Sequence, residues 1–117
     1  MPPVIEPPNS VLLVVGREEF TPPQSFGGAT CAATGDCVAI GVVRGAPVRI
    51  SFVAEPQDDS LIRLGDFTLE TEGMVSIRDV YHREQESIGV TAGAVSLVVW
   101  VDDDQEPGEV LVEIREI

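Results

Sequence analysis

Val48-Arg49-Ile50-Ser51-Phe52-Val53 alternates apolar and polar side chains through its first five positions. Successive side chains of a strand point to opposite faces. Val48, Ile50 and Phe52 therefore share one face and Arg49 and Ser51 the other, as a half-buried antiparallel strand requires. Arg44-Gly45-Ala46-Pro47, immediately before it, reads as a tight reversal out of a second apolar stretch, Cys37-Val38-Ala39-Ile40-Gly41-Val42-Val43. Further back, Val11-Leu12-Leu13-Val14-Val15 is a continuous apolar run of strand length closed by Gly16. A long connection rich in Pro, Gly and Thr separates it from Cys37.

Beyond Val53 the same period recurs. Phe67 and Leu69 alternate with Asp66, Thr68 and Glu70, and Val75 and Ile77 alternate with Ser76 and Arg78, so residues 66–78 read as a hairpin turning at Thr71-Glu72-Gly73. The apolar phase slips by one between Ile77 and Val80, which predicts a β-bulge or a strand end near Arg78 and Asp79. Ile88 and Val90 mark a short strand, Ala92-Gly93 a turn, and residues 94–101 the strongest strand of the chain, expected to be central. Val110, Val112 and Ile114 alternate with Glu109, Glu113 and Arg115 in a last strand. About eight strands without helical periodicity predict an all-β, two-sheet antiparallel β-sandwich, jelly-roll-like, with a closed β-barrel as the alternative. Val, Ile, Leu and Ala dominate the apolar residues and only 5% of the chain is aromatic, a composition that suits pleated strands.

The 117 residues suffice for one domain, expected over residues 11–117 and preceded by a proline-rich arm over residues 1–10. The arm carries Pro2, Pro3, Pro7 and Pro8, which fix φ and remove donors, so it is expected to be extended and edge-lying. It has no basic n-region, and the longest apolar run is too short for a membrane span, which leads to the expectation of a cytoplasmic protein. Cys31 and Cys37 are compatible with a small disulfide loop or with two unrelated thiols, and two ligands of this kind cannot make a zinc site.

Twenty carboxylates stand against seven cations, all arginine, giving a formal charge of −13. Such a surface repels phosphate backbones and anionic lipid heads, so neither nucleic-acid nor membrane binding is expected. If every connection reverses the chain, alternate connections share one end of the sandwich. Glu18, Glu19, Asp36, Glu55, Asp58, Asp59, Glu84, Glu86, Asp102, Asp103, Asp104 and Glu106 would then form one acidic pole. A pole of a single sign speeds encounter with an oppositely charged partner, so a basic protein is the expected ligand. The alternatives are a calcium-dependent module, with Asp58, Asp59, Asp102 and Asp104 as candidate ligands, and a self-assembling structural module. No EF-hand spacing supports the calcium alternative.

Nothing in the pattern supplies a catalytic centre. The chain has one histidine, His82, one tyrosine and no lysine, so general bases are scarce, and no local signature pairs His82 with either cysteine. Trp100, the single tryptophan, lies in an apolar strand and is expected in the core rather than on a sugar platform. Gly27-Gly28 lacks the strand-to-helix context of a phosphate loop. No enzyme activity and no cofactor are expected.

Four segments taken in order carry a family resemblance. They are Arg17-Glu18-Glu19-Phe20 after the first strand, Ala33-Thr34-Gly35-Asp36-Cys37-Val38-Ala39-Ile40, Asp66-Phe67-Thr68-Leu69, and residues 88–97 leading to Trp100. In layout the chain resembles the competence protein J class of small acidic β proteins. The resemblance spans most of the chain and implies inhibition of a partner nuclease; it assigns no individual contact residue. With the charge argument it gives the expected function: a non-enzymatic protein-binding domain, an inhibitor or immunity partner of a nuclease or toxin.

Overall fold

The computed structural model describes residues 4–5, 10–23, 26, 29–53, 61–81, 83–105 and 107–116. Among these lie ten strands and no α-helix: β1 (Val4–Ile5), β2 (Val11–Val15), β3 (Cys31–Ala33), β4 (Cys37–Gly41), β5 (Val48–Val53), β6 (Ile62–Thr71), β7 (Met74–Arg78), β8 (Glu84–Gly89), β9 (Gly93–Val101) and β10 (Glu109–Glu116). They form two open five-stranded sheets, ordered β1-β5-β10-β9-β6 and β3-β4-β2-β7-β8, so the sandwich holds and the barrel does not.

The alternating residues meet between the sheets. Leu12, Val14, Val38, Ile40, Val75 and Ile77 from one sheet pack with Val48, Ile50, Leu69, Val95, Leu97, Val99, Val101, Val110 and Val112 from the other. Fully burying a side chain of this size contributes about 1.5–3 kcal/mol, so this layer is the main source of stability. The continuous run of β2 has a further explanation. Its odd positions Leu13 and Val15 join Cys37 and Ala39 in a second cluster on the outer face, covered by Phe20 and Phe26 of the long connection. A strand buried on both faces reads as an unbroken apolar run.

The topology departs from a fully antiparallel reading in three places. β10 pairs parallel with β5 and antiparallel with β9, which pairs antiparallel with β6. β5 and β6 therefore run the same way, and the connection between Val53 and Leu61 does not reverse the chain. Residues 66–78 are not a hairpin: β6 pairs with β9, whereas β7 pairs with β2 and β8, so the chain changes sheets at Thr71-Glu72-Gly73. Gly73 makes the change possible at φ 118°, and the Thr71 hydroxyl secures it by accepting from Gly73 N. Trp100 points out of the core, half-buried on the outer face, because its neighbours Val99 and Val101 take the inward positions.

Other expectations correspond to observed elements. A register shift falls between Ile77 and Arg78 where the apolar phase slips. β9 is flanked on both sides, by β10 and β6. Val4 and Ile5 of the arm pair with Val48 and Arg49 at a sheet edge, while Pro2, Pro3, Pro7 and Pro8 lie outside the described residues. Both cysteines are free. Cys31 packs toward the inter-sheet core and Cys37 into the outer cluster, on opposite faces of one sheet, which separates their thiols.

Candidate binding surface

Strand direction defines two ends. At the first, which carries Gly16, backbone hydrogen bonds stitch the sheets together: Glu72 N donates to Gly16 O at 2.9 Å, and Glu70 N to Gly35 O at 2.8 Å. The approach is so close that a Cβ on Gly16 would lie 2.2 Å from the carbonyl oxygen of Glu70. At the second end, the turn around Arg44 meets the β9–β10 connection, with Val43 N donating to Pro107 O at 2.9 Å.

The predicted acidic pole is divided between these ends. Glu18, Glu19 and Asp36 lie at the Gly16 end, where β2 ends and β4 begins. Asp102, Asp103 and Asp104 lie at the Arg44 end, after Val101, whereas Glu84 and Glu86 pair with Arg78 and Ile77, level with Leu13 and Val14 along the sheet and so at neither loop cluster. Glu55, Asp58, Asp59 and Glu106 lie outside the described residues. The separation follows from the parallel β5–β10 pairing: one non-reversing connection exchanges the ends for every loop after it.

Several of these carboxylates serve the fold. Asp36 is 9% exposed and accepts from Thr21 N at 2.9 Å and from the Thr34 hydroxyl, tying the long connection down. Asp102 Oδ1 accepts from Gly108 N at 2.9 Å and Glu109 N at 3.1 Å, closing the β9–β10 loop. Asp103 Oδ1 accepts from Gln105 N at 2.8 Å. Glu18 Oε2 accepts from the buried Arg78 at 3.0 Å. Of the calcium candidates, Asp102 has its Oδ1 engaged by the Gly108 and Glu109 amides, Asp58 and Asp59 lie outside the described residues, and no cluster of three metal-ligating side chains forms among those described.

Two structural carboxylates lie outside the predicted set. Asp79, 1% exposed, accepts from Tyr81 N at 2.8 Å, Arg83 N at 3.1 Å and Arg83 Nε at 2.6 Å. Burial alone would raise its carboxyl pKa, but the hydrogen bonds from Arg83 and Tyr81 and the Arg83 charge hold it below the usual value. Glu113, 3% exposed on the outer face, accepts from Arg115 and from Trp100 Nε1, the latter at 2.9 Å. The Arg115 hydrogen bond outweighs burial, and Trp100 assists, so this carboxyl too is held low. The signal for Asp79 was present in the bulge predicted at Arg78 and Asp79, where a side chain must satisfy the backbone that the ladder leaves unpaired.

The nucleophile candidates are poorly suited to attack. Burial, with the nearby Asp36 charge, pushes the Cys37 thiol up to about 12, and burial raises the Cys31 thiol as well. A thiol so raised remains protonated near neutral pH, and the thiolate is the reactive form. His82 lies outside the described residues.

These features define a small two-sheet sandwich with an acidic surface, an edge-pairing N-terminal strand and one parallel pair in an otherwise antiparallel frame. No protein-family model and no curated protein matches the sequence. Among solved structures, the chain is similar to that of ComJ, inhibitor of the DNA degrading activity of NucA, from Bacillus subtilis. The TM-score is 0.76 over 100% of this chain and 96% of that one, at 12% sequence identity. The two chains share a fold.

Proposed function

We propose that this chain is a non-enzymatic protein-binding domain whose acidic surface engages a basic protein partner, as an inhibitor or immunity protein of a nuclease or toxin. The observation that carries this reading is the disposition of the cations. Six of the seven arginines (Arg17, Arg49, Arg63, Arg78, Arg83 and Arg115) form ion pairs with the chain's own carboxylates among the described residues. With twenty carboxylates in the chain, the surface offered to a partner is overwhelmingly negative. Such a surface can stand in for a phosphate backbone against the basic cleft of a nucleic-acid enzyme. The fold shared with an inhibitor of a DNA-degrading activity supports the same reading.

Of the twelve carboxylates first singled out, Glu18, Glu19, Glu84, Asp102, Asp103 and Asp104 are exposed. Asp102 closes the β9–β10 loop, and the other five are the proposed contacts, Glu18 and Glu19 at the Gly16 end, Asp103 and Asp104 at the Arg44 end, and Glu84 on the edge strand β8. The buried Asp36 serves the fold. The test is association with purified nucleases, beginning with NucA, followed over a range of potassium chloride concentrations. The association rate is expected to fall by about tenfold or more as salt rises, the lower bound of electrostatic steering. Binding unchanged from low to high salt would overturn the electrostatic mechanism, and continued DNA cleavage by the bound nuclease would overturn inhibition.

A further inference from the structure

Two grooves flank Arg17 at the Gly16 end. One, of about 280 Å³, runs past Val15, Met74 and the buried Arg78. The other, of about 580 Å³, is lined by Arg17, Glu70, Thr71, Glu72, Gly93 and Ala94. Its floor is small and open: a Cβ added to Gly93 would meet nothing within 4 Å, and φ of 123° there disfavours any side chain. Glu70 and Glu72 form the rim, with side chains 68% and 63% exposed. The backbone beneath them is fixed by the Gly16–Glu72 and Gly35–Glu70 hydrogen bonds between sheets, so the two side chains spring from a fixed base.

Arg17 shows what this rim accepts. Its NH1 lies 3.7 Å from Glu70 Oε2 and its Nε 3.9 Å from Glu72 Oε1. Both separations exceed the roughly 2.7–2.9 Å of a charge-assisted hydrogen bond, so the guanidinium is a loose counter-ion between two carboxylates. We infer that this groove is an arginine-recognition site: a partner's guanidinium displaces Arg17 from between Glu70 and Glu72, and its alkyl stem lies over Gly93 and Ala94. The occupant follows from charge complementarity and from groove shape. Two carboxylates face a single internal cation on a body of net charge −13, and the floor has room for methylenes without a competing side chain. The site rests on the reading that the partner is a basic protein, and deepens it by naming the anchoring residue type.

The test uses the full chain and the blocked tripeptide Gly-Arg-Gly, with its citrulline counterpart as the uncharged control, in a low-salt amide NMR titration. The arginine peptide is expected to shift Thr71, Gly93 and Ala94 saturably, and the citrulline peptide is not. Glu70→Gln with Glu72→Gln should abolish the shifts; Gln keeps the Glu72 oxygen that accepts from Glu18 N at 3.2 Å, so the loop stays held. Arg17→Gln should tighten binding by about two- to fivefold, the range of an exposed ion pair. Unchanged or weaker binding in that variant would overturn the displacement of Arg17. Shifts confined to residues 102–104 would overturn this site while leaving the acidic-surface reading intact. An absence of saturable shifts would overturn the site alone, because salt-dependent association with a whole nuclease measures the broader reading separately.

Discussion

The carboxylate of Asp79 holds the β7–β8 turn, which one backbone bond from Asp79 N to Arg83 O closes, by taking the amides of Tyr81 and Arg83 together with the Arg83 guanidinium. Arg83 is fixed in turn over the Tyr81 ring, 5.5 Å from its centroid. Asp79→Ala leaves two amides and a guanidinium without this acceptor and is expected to cost about 1–3 kcal/mol, measured by urea unfolding. The pH dependence has a definite sign. Because the folded-state pKa is depressed, the contribution of Asp79 is present above the unfolded value of about 3.9 and is lost as pH falls through the folded pKa. The stability difference between the natural chain and Asp79→Ala should therefore be full at neutral pH and shrink in acid. A difference that stayed constant down to strongly acidic pH would show that the turn does not depend on the ionised carboxylate.

At the level of elements, the strands were legible because period 2 survives burial, and their partners were not. Val48, Ile50 and Phe52 declare a face wherever the strand lies, but nothing in residues 66–78 distinguishes a hairpin from a change of sheet. Leu69 and Val75 face the same core in either case. The parallel β5–β10 pair is equally silent, since its registers, Val110 with Ile50 and Val112 with Phe52, join residues far apart in the chain. Trp100 looked like core for a related reason: Val98 beneath it on the outer face is also fully buried, so the apolar run carries no phase. The candidate surface suffered most, because acid counts per loop are readable while loop placement depends on pairing. Gly16 is the element-scale contact that places the Gly16 end. Gly16→Ala drives a methyl into the Glu70 carbonyl, a backbone atom that cannot swing away, at the point where β2 is bonded to the chain beyond β6. The expected loss is about 1–3 kcal/mol, as for an overpacked core, with faster amide exchange at Glu72. A variant with unchanged thermal stability would show that the sheets are not clamped there.

Across the whole molecule, the excess of carboxylates opposes compaction while the internal ion pairs favour it, and salt weakens both. Exposed pairs such as Arg17 with Glu70 and Arg49 with Glu109 contribute little, with a median of about 0–1 kcal/mol. Repulsion among thirteen unbalanced charges acts over the entire surface, so it is the larger of the two at low ionic strength. The melting temperature at neutral pH should therefore rise as potassium chloride goes from about 10 mM to about 1 M, while the Debye length falls from about 30 Å to about 3 Å. Chloride is the better choice than sulfate, which stabilises folded proteins by exclusion whatever their charge. Mild acidification should act in the same direction by neutralising exposed carboxylates first, since Asp79 and Glu113 are held below the usual range and keep their contributions until lower pH. The two treatments should overlap, so that salt raises the melting temperature less at mildly acidic pH than at neutral pH. A melting temperature that fell with chloride would mean that the ion pairs outweigh the repulsion. The negative surface would then be a stabilising network of the fold rather than an unbalanced charge held available for a basic partner.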